Sequence, residues 1–171
     1  KTQYKGEAHF LRGLYYFNLV RLFGDVPWID KQQTASDDLQ VSRTSKDIVY
    51  QHIIDDFSDA ASMLPAVYEN TTDIGRATKG AAFGLLAKVY LTLKRYNETL
   101  VAIDSVTNLG VYSLNRKYEW NFSDLRENGP ESLFEVQYEK DVTAYSEFDI
   151  LGQGGWHHEY MAPLASINIG G

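Results

Sequence analysis

The sequence has no cysteine. That excludes disulfides, thiolate metal sites and thiol chemistry, but it does not identify a compartment, because many periplasmic and surface proteins also lack cysteine. Long apolar runs are missing too. No stretch reaches the roughly eighteen apolar residues that mark a membrane-spanning helix, and the chain opens at Lys1 without the apolar core of a signal peptide. Such an opening suggests a cut or processed chain. Positive charge is scarce: 16 Lys and Arg stand against 23 Asp and Glu, a net charge of −7, and the basic residues are scattered. Nucleic acid calls for a clustered basic footprint, so no nucleic-acid partner is expected. Enzyme signatures are absent as well. There is no Gly-rich phosphate loop, no nucleophile elbow, and no pattern that sets two carboxylates at a glycosidase separation. Neither a catalytic residue nor a cofactor is expected.

What is present is apolar bulk: 171 residues, 44% of them apolar, enough for one domain with a core. The densest stretch is KGEAHFLRGLYYFNLVRLFGDVPWID, Lys5 to Asp30. Plotted at about 100° per residue, Glu7 to Phe23 puts Phe10, Leu14 and Phe17 on one flank, Leu11, Tyr15 and Leu22 on another, and Tyr16 and Val20 nearly opposite. A helix apolar almost all round is expected to be covered on most sides. Its polar residues Glu7, Arg12, Asn18 and Arg21 then need partners inside the protein, and Asn18, Arg21 and Glu7 read as a buried polar stripe. Gly24 ends the helix and Pro27 prevents its resumption.

After Trp28 the chain turns polar through Lys31 to Arg43, a loop long enough to be functional. Thr44 with Asp47 matches a capping box, and Val49, Ile53, Phe57, Ala60 and Leu64 follow at helical spacing until Pro65. Asp55, Asp56 and Asp59 on its other face read as a solvated surface, not a metal site. Residues 66–77 are a loop. Thr78 is the expected N-cap of a third helix ending near Lys94, where Gly80, Gly84 and Ala87 form a small stripe that lets another backbone come close. Asn97 is the expected cap of a fourth helix, with Leu100, Ile103 and Val106 inward and Gly110 as its stop. Then the character changes. Glu127 to Pro130 is a turn, and Phe134, Val136 and Tyr138 alternate with Glu135 and Gln137 as a short strand.

The third and fourth helices resemble a tetratricopeptide repeat, with Ala87, Tyr90, Tyr96, Ile103 and Val106 in the expected places and Thr99 where that repeat prefers Ala. The first two helices look like a diverged copy split by the long loop. A sharper resemblance lies in the order of four segments: EAHFLRGLYYFNLVRLFGDVPWI, GRATKGAAFGLLAKVYLTLKRYNETL, LGVYSL and ESLFEVQY. Together they resemble the SusD/RagB family of surface nutrient-binding lipoproteins. Glu7, Ala8, Arg12, Tyr16, Arg21 to Gly24, Val26 and Pro27 carry most of the likeness. The resemblance implies a mainly α fold of tetratricopeptide-like α/α hairpins with an irregular, short-strand C-terminal segment. The expected organisation is a single domain over 1–171, an internal fragment of a larger SusD-like domain. Its first hairpin with the inserted loop covers 5–65, its second hairpin 78–110, and the irregular segment 111–171.

The implied function is non-catalytic binding of an oligosaccharide or other small nutrient at the outer-membrane surface, for delivery to a SusC-like TonB-dependent channel. Contact with the membrane would run only through a lipid anchor that this chain lacks. The rival readings are a tetratricopeptide-like adaptor for protein–protein interaction and a glycan-processing enzyme. Sugar binding needs flat aromatic faces with planar hydrogen-bonding groups beside them, and most of the twelve Tyr read as core. Trp28, Trp156 and Tyr160 lie in loops instead. Trp28 with Asp25 and Asp30, and Trp156 with His158 and Tyr160, are therefore the candidate ligand contacts. Adjacent His157 and His158 on an extended chain point to opposite sides, so no metal site is expected there.

Overall fold

The computed structural model describes residues 1–34, 40–123 and 126–137. The chain divides into two compact units, Lys1–Glu135 and Val136–Gly171, and every described helix lies in the first. In order these are α1 (Thr2–Phe23), α2 (Lys46–Met63), α3 (Lys79–Thr92) and α4 (Tyr96–Thr107), with short 3-10 turns at Thr71–Asp73 and Tyr118–Phe122. Each helix packs on its neighbour in sequence, α1 on α2, α2 on α3 and α3 on α4. The architecture is mainly α.

α1 meets α2 through Gly6, Phe10, Gly13, Phe17 and Val20, a buried seam advancing in alternating steps of four and three residues. The glycines let large neighbours close in. A Cβ on Gly13 would stand 3.1 Å from the Phe57 ring, and one on Gly6 would stand 2.9 Å from Met63 Cβ. Phe10 and Phe57, both fully buried, meet edge to face at 5.9 Å. Burying side chains of this size stabilises by about 1.5–3 kcal/mol each, and that seam holds the first hairpin together. Gly24 stops α1 in a left-handed conformation, φ 69°, with its N–H on the Val20 carbonyl.

The expected all-round covering of α1 is not found. Tyr4, Leu11, Tyr15 and Leu22 are 66%, 43%, 64% and 76% exposed, so the helix is buried along one side and open along the other. Asn18 and Arg21 are exposed rather than part of a buried polar stripe, since they lie off the seam that α2 covers. Among the described residues, Glu7 pairs with Arg76 of the 66–78 loop and Arg12 pairs with Asp56 of α2.

α2 is capped differently from the expected box. Its N-cap Ser45 makes no side-chain bond, and the Lys46 N–H donates to Asp25 Oδ1 at 2.8 Å. Thr44 is engaged elsewhere, in an isolated antiparallel bridge with Val26 (3.0 and 3.2 Å). α3 begins as expected: the Thr78 hydroxyl accepts from the Ala81 N–H at 3.1 Å. It ends with Lys94 at φ 59° and the Arg95 N–H returning to the Tyr90 carbonyl. The small stripe on α3 admits side chains rather than a backbone. The Tyr112 ring lies over Gly80, and Leu133 Cδ1 comes within 2.6 Å of where a Gly84 Cβ would be.

α4 is rotated from the expected phase. Arg95 is the N-cap and Asn97 lies exposed inside the helix; Thr99 and Ala102 face inward, while Leu100 and Ile103 are 60% and 47% exposed. Small residues at the contact allow α4 to lie close to α3, and the buried Thr99 hydroxyl is satisfied by the Arg95 carbonyl at 2.9 Å. Residues 134–137 form no strand. Period-two alternation needs a neighbouring strand to pair with, and Phe134 instead turns its ring onto Phe10 at 5.0 Å. Tyr138 lies outside the described residues.

Candidate functional site

Two places bring chemistry together. The first is the neck of the loop between α1 and α2. The Tyr16 hydroxyl donates to the Pro27 carbonyl at 3.2 Å and accepts from the Ile29 N–H at 2.8 Å, which pins the loop to α1. Half-buried Trp28 packs against Tyr16 at 4.3 Å and stacks on His52 at 4.5 Å and 16°. The Arg12 guanidinium lies 4.9 Å from the Trp28 ring centre and binds Asp56 in a fork, Nε to Oδ2 at 2.8 Å and Nη2 to Oδ1 at 2.6 Å. His9 Nδ1 is 2.7 Å from the same Oδ1.

Asp56 is therefore not part of a solvated acidic face. It is 2% exposed, on the side of α2 that meets α1. Its hydrogen bond, ahead of the cost of burial, raises the Arg12 pKa further above its ordinary value and fixes the positive charge. Arg12, His9 and Asp56 satisfy one another. That makes a clamp between helices, with a cation stacked under the loop. Among the described residues, no group of three or more His, Asp or Glu could hold a metal ion.

Trp28 and Asp25 thus carry structural duties, as packing and as helix cap. Asp30 is exposed at the start of the polar loop. Trp156, His158 and Tyr160 lie outside the described residues.

The second place is an open groove of about 280 Å³ between the 66–78 loop, residues 111–112 and residues 128–135. Tyr68 and Tyr112 supply flat rings, and Arg76, Asp73, Ser132 and Glu135 supply planar or hydroxyl hydrogen-bonding groups. Arg76 is held rigid: Nη2 lies 2.8 Å from both Glu7 oxygens, and Nη1 lies 3.2 Å from Asp73. The Tyr68 hydroxyl lies 2.8 Å from the Ala77 carbonyl and 3.1 Å from Glu7 Oε1. Burial first, and the Glu7 charge second, push its pKa up to about 12. Tyr112 is positioned by its hydroxyl, 2.9 Å from Thr78 Oγ1. Aromatic faces beside fixed polar groups are what a sugar ring requires. None of these groove residues stands out by spacing. The one available hint is that Tyr68 and Tyr112 fall outside every helical period.

A family described as "Starch-binding associating with outer membrane" matches residues 1–91, from the start of the chain into α3. The chain belongs to the SusD-like family. A SusD-like protein of Formosa agariphila is 25% identical over 167 residues, covering 92% of this chain and 32% of the relative. Among solved structures, a SusD-like protein from Bacteroides fragilis is 36% identical with a TM-score of 0.75, over 82% of this chain and 28% of that one. A laminarin-binding SusD-like protein is 30% identical with a TM-score of 0.72, over 81% and 32%. The SusD-like chain therefore spans about a third of the length of the relatives it matches. Its family is one of carbohydrate binding in association with the outer membrane. Among the described residues, no helix is long and apolar enough to cross a membrane.

Proposed function

We propose that this chain is the helical scaffold of a cell-surface protein that binds an oligosaccharide or related nutrient, leaves its bonds intact, and hands it to a SusC-type TonB-dependent channel. The observation that carries this reading is the family match over 1–91, on a fold shared with a laminarin-binding SusD-like protein at a TM-score of 0.72. The described groove suits capture: the Tyr68 and Tyr112 rings line it beside Arg76, which Glu7 holds in place. In this reading Trp28 and Asp25 set the shape of the long loop. Tyr68 and Tyr112 of the groove contact the ligand, and Asp30, and separately Trp156 with His158 and Tyr160, are further candidate contacts, each taken by itself. Attachment to the outer membrane runs through a lipid anchor, with the binding surface facing the exterior.

The test is native affinity electrophoresis through gels containing starch, laminarin or other polysaccharides, with reducing ends measured in parallel. Retardation by at least one polysaccharide without new reducing ends is the expected result, together with co-purification of a large β-barrel from solubilised outer membranes. Release of reducing ends, abolished by replacing one carboxylate, would establish an enzyme instead.

A further inference from the structure

The groove does not stop at its rim. Its wall at Gly129, Pro130 and Ser132 is tied to the segment that leads into the 3-10 turn Tyr118–Phe122. The Ser113 N–H donates to the Pro130 carbonyl at 2.9 Å, and the Asn115 N–H donates to Glu131 Oε2 at 2.8 Å. A Cβ on Gly129 would stand 4.0 Å from the Asn115 amide, so the wall lies close against this segment. The Asn115 amide in turn donates to Asn121 Oδ1, which closes residues 115–121 into a ring.

That turn carries two aromatic rings that serve no core. Tyr118 and Phe122 are 78% and 74% exposed, and they meet edge to face at 5.3 Å. The third ring of the turn is employed differently: half-buried Trp120 lies under the Arg126 guanidinium, 4.0 Å from its centre. A scattered apolar residue on a surface is ordinary, but two large rings in contact beside a pinned pair of amides are a built arrangement. Flat apolar faces with planar hydrogen-bonding groups next to them match the C–H faces and hydroxyl edges of a sugar ring. The groove itself, about 280 Å³, has room for roughly one or two such rings. We infer that Tyr118 and Phe122, with Asn115 and Asn121, form a second saccharide subsite that continues the groove past Gly129, so that the site takes an extended oligosaccharide rather than a single sugar. The inference rests on the glycan reading of the groove.

The test is calorimetric titration of the full-length polypeptide with a disaccharide and with a longer oligosaccharide of the same sugar, both cut from the polysaccharide that retards it. The parent protein should bind the longer one more tightly. Tyr118→Ala combined with Phe122→Ala should weaken the longer oligosaccharide about tenfold and leave the disaccharide within about twofold, whereas Tyr118→Phe, which keeps the ring, should leave both unchanged. If the double variant misfolds, Tyr118→Ala alone carries the comparison, at about threefold. An unchanged affinity of the alanine variant for the longer oligosaccharide, or an equal loss for both lengths, would overturn the subsite and leave the glycan reading intact. A parent protein that binds neither sugar would overturn both.

Discussion

Replacing Asp56 with Ala should destabilise the first hairpin more than any other single polar change. The carboxylate is 2% exposed and accepts three contacts, two from Arg12 at 2.6 and 2.8 Å and one from His9 at 2.7 Å. Removing one partner of a buried pair costs about 3–5 kcal/mol, because the other charge is left unpaired. Here the Arg12 side chain is 32% exposed and can recover some hydration, which lowers the expected loss to about 2–4 kcal/mol. At this chain length each kcal/mol moves the melting temperature by about 3 °C, so a fall of roughly 10 °C is expected in a thermal melt at neutral pH. Asp56→Leu combined with Arg12→Met removes both charges and should recover most of that loss. A fall of less than about 3 °C for Asp56→Ala, or a double variant no more stable than the single one, would refute the clamp.

Four further outcomes follow from particular contacts. Gly80→Ala puts a methyl into the Tyr112 ring and should destabilise by about 1–3 kcal/mol in urea unfolding, whereas Gly→Ala in an unobstructed helix stabilises. Thr78→Ala removes the α3 cap and the partner of Tyr112, for a loss of about 1–2 kcal/mol by the same measurement. Asp25→Ala should cost about 1 kcal/mol through α2 without altering glycan retardation on affinity gels, which separates a capping role from ligand contact. For Tyr68, the unfolded phenol ionises near pH ~10 and the folded one at about 12. Its contribution is complete below the lower value and is lost as pH rises through this window, so Tyr68→Phe should flatten the alkaline fall in stability.

How much of this was readable in advance depended on the range of the interaction. The end of α1 at Gly24 and the Thr78 cap are local matters of backbone and side chain within a few residues, and both were legible. The duties of Asp25 and Asp56 were not. Each is fixed by a partner 21 to 47 residues away, and periodicity alone places an aspartate on a polar face by default. The phase of α4 was missed for a related reason. Reading Leu100 and Ile103 inward assumed that the larger apolar residues take the contact, but close approach to α3 selects Thr99 and Ala102. α1 shows the limit from the other side. Its apolar girth is visible in the sequence, but its division into a filled seam and an open one is set by where α2 packs. For the groove, Tyr68 and Tyr112 are 44 residues apart and line one groove because the second hairpin folds back, so no spacing could have paired them.

The most direct trial of the functional claim is a calorimetric titration of the full-length polypeptide with defined oligosaccharides from the polysaccharide that retards it, with chromatography of the sugar recovered from the cell. The account predicts a saturable heat and an oligosaccharide recovered at its original length. Shortened oligosaccharide, or no heat with any sugar while a peptide titrates saturably, would contradict it.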